Sequence, residues 1–158
     1  MLKRITDEIK QAMRDKAKLR LQTLRSLVND FKNAGIDKRA KESLSQEVNS
    51  PAELLSEEEM LKIIQSAAKS RRESFEQYVD GGRQDLADIE QSEFDILSEF
   101  LPKQLDDAEL EAIVKAAIAE TGASSMADMG GVMKVVQAQL GGRADGKRVS
   151  AVVRNILG

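Results

Sequence analysis

The chain has 158 residues, 41% hydrophobic and 32% charged, with a formal net charge of −3, a soluble composition with enough apolar side chains to bury an aliphatic core. It contains no cysteine and no histidine, which excludes disulfides, thiolate chemistry, Ser-His-Asp and Cys-His catalysis, and zinc sites built on nitrogen or sulfur ligands. Aromatics are only 3%, prolines number two, and no run of alternating β-branched residues occurs, so the pattern predicts an all-α protein.

Leu2, Ile5, Ile9 and Met13 recur at helical spacing and predict a short first helix. After the polar break Arg14-Asp15-Lys16-Ala17-Lys18, a second helix is expected from about Lys18 to Ala34, with Leu21, Leu24, Leu27, Val28 and Phe31 inward and Gly35 as its C-cap. Its Lys18, Arg20, Arg25 and Lys32 read as a solvated face. Between Ile36 and Leu55 the periodicity dissolves into Lys, Glu, Ser, Gln and Asn, which predicts a long mobile connection.

Ser56 followed by Glu59 is a capping box, and it opens a helix expected to run to Asp80 with Leu61, Ile64, Ala68, Arg71, Phe75 and Tyr78 along one stripe. Lys69, Arg71 and Arg72 cluster mid-helix opposite the acids of the next segment, so an intramolecular charge match with Asp85, Asp88 or Glu90 is expected in preference to a ligand site. Arg71, on the apolar stripe, must snorkel or pair. Gly81-Gly82 makes a tight reversal into a helix from Asp85 to Phe100, packing Leu86, Ile89, Phe94, Leu97 and Phe100, so the two helices form an antiparallel hairpin. Pro102 then stops the helical run. The expected organisation is an N-terminal helical domain over 1–100, a hinge over 101–105 and a C-terminal three-helix domain over 106–158.

In that second domain Asp106 and Glu109 mark a helix start, Leu110, Ile113, Val114, Ala117 and Ile118 form its stripe, and Gly122 caps it. Ser124 or Ser125 begins the next helix, with Met129, Val132, Met133, Val136 and Leu140 inward, and Gly130-Gly131 either permits close approach or weakens the helix. The last helix carries Val149, Val152, Val153, Ile156 and Leu157.

The stretch Gly141-Gly142-Arg143-Ala144-Asp145-Gly146-Lys147 joins those last two helices. The paired glycines suit a left-handed helix end and Asp145 suits the N-cap that follows. Backbone N–H groups, the positive end of a helix dipole and the cations Arg143, Lys147 and Arg148 meet there, a combination that attracts phosphate. Gly141 to Lys147 also fits the spacing of a phosphate-binding NTPase loop. Position 148, however, is Arg where Mg²⁺ binding needs Ser or Thr, and a helix rather than a strand precedes it. An ordinary capped turn without ligand is the competing reading.

Charge is uneven: residues 1–56 carry a net +4, residues 57–104 a net −6 and residues 105–158 a net −1, which argues for a local basic face rather than a general nucleic-acid coating. The charged opening residues predict no secretory signal, and no stretch approaches a membrane span, so a cytoplasmic location is expected.

Six segments in order, Gln11-Ala12-Met13-Arg14-Asp15-Lys16, Arg20-Leu21-Gln22-Thr23-Leu24-Arg25, Arg71-Arg72-Glu73-Ser74-Phe75, Gly82-Arg83-Gln84-Asp85-Leu86-Ala87, Phe100-Leu101-Pro102-Lys103-Gln104-Leu105 and Gly142-Arg143-Ala144-Asp145-Gly146-Lys147, resemble the GatB/YqeY family over nearly the whole chain. The resemblance implies a larger N-terminal helical unit and a small C-terminal one. It also implies kinship with the tail of the B subunit of the tRNA-dependent amidotransferase, where the tail helps to grip tRNA and other domains perform the chemistry. Free-standing members carry the label of a carbon–nitrogen ligase with glutamine as amido-N-donor, by association.

Three functions follow as expectations. The first is a non-catalytic tRNA-binding module using Arg143, Lys147, Arg148 and Arg154, monomeric, without metal or cofactor, and associated with an amidotransferase or synthetase. The second is a helical protein-interaction domain with no RNA contact. The third is a glutamine-dependent ligase, against which stands the lack of a nucleophile–base pair; the adjacent Ser124-Ser125 is accounted for by helix capping.

Overall fold

The computed structural model describes residues 1–158, which form seven α-helices and no strand: α1 (Leu2–Arg14), α2 (Lys18–Glu42), α3 (Glu57–Asp80), α4 (Gln84–Ser98), α5 (Asp107–Thr121), α6 (Met129–Leu140) and α7 (Gly146–Leu157). The fold is all-α. Two units separate on internal contacts, Met1–Leu101 and Pro102–Gly158, and each has its own aliphatic core.

In the first unit α1 buries Ile5 and Ala12, while Met13 is 53% exposed rather than packed. The chain reverses just beyond it, through Lys16 at φ 55° and the bond from the Ala17 N–H to the Ala12 carbonyl. Arg20 of α2 then donates to Glu8 of α1 and, at 2.8 Å, to Glu99 beyond α4, so one cation of the expected solvated face is an internal tie.

The expected stop at Gly35 does not occur. α2 continues through it to Glu42, and Gly35 is buried against a short 3-10 turn, Pro51–Leu54. A Cβ at Gly35 would sit 2.0 Å from the Pro51 carbonyl oxygen, so the glycine permits the close approach of a second backbone. Ala52, Leu54 and Leu55 are buried there, and Arg39 donates to the Gln46 carbonyl at 2.9 Å. The expected mobile connection over 36–55 is therefore corrected to a helix extension, a pinned loop and a docked turn. Three apolar side chains suffice for the anchoring, too few to show a period.

The capping box at α3 is formed as expected: Ser56 Oγ accepts from Glu59 N–H at 3.2 Å and Glu59 accepts from Ser56 N–H at 2.7 Å. Lys38 of α2 also donates to Glu59 at 2.8 Å, and that bond, then the backbone bond from Ser56, holds the Glu59 carboxyl below the ordinary range. Leu24, Leu27, Phe31, Ile64, Ala68, Leu97 and Phe100 fill the core. Arg71 pairs with Glu93 at 2.5 Å and Glu90 at 3.7 Å. Asp85 and Asp88 are corrected as partners: Asp85 binds Arg83 at 2.9 Å and Asp88 accepts from Gln84 at 2.7 Å. Ile89, expected in the core, is 45% exposed.

In the second unit Asp106 and Glu109 close a capping box on α5, and Gly122 ends it at φ 65°. Ser125 caps a 3-10 turn, Met126–Asp128, that leads into α6. Leu105, Leu110, Val114, Ala117, Val132, Val136, Leu140, Val149 and Val153 are buried together. No heavy atom outside the helix's own backbone lies within 4 Å of a Cβ added at Gly130 or Gly131, so these glycines serve no close approach within the chain and weaken the start of α6.

Candidate functional site

The loop between α6 and α7 is shaped by Gly141 and Gly142, both left-handed at φ 51° and 86°, where a Cβ would strain the chain. It is fastened to the segment preceding α5: Leu105 N–H donates to the Arg143 carbonyl at 2.8 Å, and the Gln104 amide donates to the Gly142 carbonyl at 3.2 Å. The last two sequence segments that carry the family resemblance thus meet in space. Asp145 accepts from Lys147 N–H at 2.7 Å and so places a carboxylate at the helix start, where an external anion would otherwise be drawn.

The four cations expected to act together divide into two pairs. Arg143 turns back onto α6, donating to the carbonyls of Leu140 and Gln139, each at 3.1 Å, and neutralises the negative end of that helix. Arg148 donates to the Leu105 carbonyl at 3.0 Å and to Asp107 at 2.7 Å. Lys147 and Arg154 face solvent. Arg154 donates only to Ser150 on its own helix, at 3.1 Å, and no carboxylate claims Lys147. Seven residues apart, the two lie on one face of α7 with a rise of about 10 Å between them.

Sequence reasoning did not find Gln104, Leu105 and Asp107 as the partners of this loop. The adjacency of two resemblance segments was the available signal, but nothing in a single sequence says that they touch. Asp128 accepts from the backbone N–H groups of Ser124 and Ser125 at 3.0 and 3.1 Å and from the Ser125 hydroxyl at 3.1 Å, and these bonds hold its carboxyl below the ordinary range. The serine pair is thereby engaged in starting α6. No three acidic side chains converge on a set that could hold a metal ion, and no helix is long and apolar enough to cross a membrane.

The family described as Yqey-like protein matches residues 2–157. A relative from Pyrenophora tritici-repentis (strain Pt-1C-BFP), named altered inheritance of mitochondria protein 41, mitochondrial, is 29% identical over 163 aligned residues, covering 100% of this chain and 81% of its own length. Matched along its whole length by one family description, the chain belongs to the YqeY-like family, which is related to the tail domain of GatB.

Proposed function

We propose that the chain is an accessory module that binds tRNA through its phosphate backbone, using the exposed face of α7, and supplies no bond-making chemistry of its own. The observation that carries this reading is the placement of Lys147 and Arg154, exposed and unclaimed by any carboxylate, on a helix whose start is fastened by Arg143, Arg148 and Gln104. Cations on a rigid element meet phosphates without first having to be ordered. The two outward cations make the contacts, and Arg143 and Arg148 set the position of the helix that presents them. Contacts of this kind orient RNA without reading its sequence, and scarce aromatics leave little base stacking.

Kinship with the amidotransferase tail supports a role beside a tRNA-modifying or tRNA-charging enzyme, with the ligase label inherited from that larger assembly. Cytoplasmic residence and a monomeric state belong to the same proposal. The test is filter retention of labelled tRNA across a salt series. Lys147→Ala with Arg154→Ala is expected to weaken retention and reduce the slope of log affinity against log salt by about 2. Retention with an unchanged slope in that double variant refutes the α7 face, and amide transfer by the isolated chain refutes the non-catalytic reading.

A further inference from the structure

Lys18, Gln22, Arg25, Asn29 and Lys32 follow one another along α2 at steps of four and three, and all five are exposed. That spacing keeps them on one side of the helix. Lys18, Gln22, Arg25 and Asn29 line a single shallow groove of about 520 Å³, together with Leu21 and Ser26. The three cations stand seven residues apart, a rise of about 10 Å at each step, the same separation as Lys147 and Arg154 on α7. Of the four cations that the sequence assigns to a solvated face, only Arg20 is engaged by carboxylates, those of Glu8 and Glu99.

Lys18, Arg25 and Lys32 have no carboxylate within ion-pair distance, and Arg25 reaches only the Met13 Sδ, at 3.8 Å. The acids of α2, Asp30, Asp37 and Glu42, lie about 100° or more round the helix from the centre of the stripe. Those of α1 are already engaged, Asp7 by Lys10 at 3.7 Å and Glu8 by Arg20. Asp15 accepts from the Gln11 amide at 3.0 Å, and its neighbours Arg14 and Lys16 are exposed and unpaired, so the turn leading into α2 is itself net positive.

A face that is cationic, interleaved with amide and hydroxyl side chains and free of acids matches a phosphate–sugar backbone, whose protein contacts come from Lys, Arg, Gln, Asn and Ser. An acidic protein surface fits it less well, because a protein interface needs apolar or aromatic anchors at its centre. No aromatic side chain lines the groove, and Leu21 is half-buried. Met13 and Ile36 are 53% and 54% exposed but do not meet. Ile36 lies about three turns beyond Arg25, the residue that Met13 touches.

We propose that this face of α2 is a second phosphate-contact surface for tRNA, built in the first unit from cations two turns apart. It rests on the reading that the chain binds tRNA, but its contacts are separate from those of α7. Two sets of contacts release more counterions than one, so affinity falls more steeply with salt than Lys147 and Arg154 account for.

The test is filter retention of labelled tRNA by the full chain across a salt series. Lys18→Gln with Arg25→Gln and Lys32→Gln should reduce the slope of log affinity against log salt by about 3, with unchanged far-UV circular dichroism. Lys62→Gln with Lys69→Gln and Lys115→Gln removes the same charge from positions paired with Glu58, Glu73 and Glu111, and should leave the slope unchanged. A reduced slope in the Lys147→Ala, Arg154→Ala variant alongside an unchanged one in the α2 variant overturns this surface and leaves the α7 face standing. The reverse result refutes the α7 face and leaves this surface. Equal losses in the two triple variants reduce the effect to net charge and overturn the proposal, and no retention by the unaltered chain refutes both surfaces. A helical peptide of Glu and Leu that binds more tightly than tRNA, and is lost in the α2 variant, makes a protein segment the occupant and also overturns it.

Discussion

Arg148 donates to the Asp107 carboxylate at 2.7 Å and, with the same nitrogen, to the Leu105 carbonyl at 3.0 Å. A cation that the sequence offers as a phosphate ligand is thus a brace between the start of α7 and the start of α5. The pair is largely exposed, so its value lies less in charge than in satisfying a backbone carbonyl and fixing a loop.

Substitution at this brace and at its neighbour therefore separates support from contact. Arg148→Ala is expected to cost about 1 kcal/mol and to speed hydrogen exchange at the Leu105 amide. Lys147→Ala should leave exchange unchanged while lowering tRNA retention. If Lys147→Ala deprotects the Leu105 amide as much as Arg148→Ala does, the division between outward and inward cations is mistaken.

Gly35 and Gly130 should respond in opposite directions to the same change. Gly35→Ala drives a methyl into the Pro51 carbonyl and should destabilise the N-terminal unit by about 1–3 kcal/mol. Gly130→Ala meets no neighbour and should stabilise the start of α6 by up to about 1 kcal/mol. Urea denaturation of both variants measures the contrast.

At the waist of the hairpin, Arg71 compensates two partly buried carboxylates. Arg71→Met is expected to cost about 2 kcal/mol, less than a fully enclosed pair would lose. Adding Glu93→Gln should recover part of that loss, because the second change removes one uncompensated charge. A double variant less stable than Arg71→Met alone would contradict the pairing.

Acid should loosen the N-terminal unit through Glu99. The hydrogen bond from Arg20 holds its carboxyl below the ordinary glutamate value of 4.5, against an opposing effect of desolvation. With the folded pKa depressed, the unfolded chain takes up its proton first, so the stabilisation is present above 4.5 and is lost as pH falls through the folded value. Asp30 acts in reverse, since burial raises its carboxyl. Stability measured by urea should be nearly flat from about pH 7 to 5 and fall below that. Arg20→Met should be less stable at neutral pH and decline less steeply in acid, and an unaltered acid slope would exclude the Arg20–Glu99 tie as its source.

Local signals were legible wherever the cause itself is local. The capping boxes at Ser56 and Asp106, the left-handed ends at Gly122 and Gly141 and the apolar stripes of α3, α5, α6 and α7 each depend on residues within a turn or two. The family resemblance was legible for a different reason, because the order and spacing of short segments is itself a property of the linear chain.

What the sequence by itself determined was the all-α class, most helix starts and the location of the loop that presents α7. The tertiary structure alone decided that Gly35 is a contact with Pro51 rather than a helix end, that Arg71 chooses Glu93, and that Arg143 and Arg148 turn inward while Lys147 and Arg154 remain outside. The outcomes at Gly35, Arg71 and Arg148 depend on partners far along the chain, and those at Lys147 and Arg154 on the absence of a carboxylate, whereas Arg143 turns onto Gln139 and Leu140 of the helix just before it. A guanidinium is equally ready to bind a phosphate, a carboxylate or a backbone carbonyl, and only folding determines which of them lies within reach.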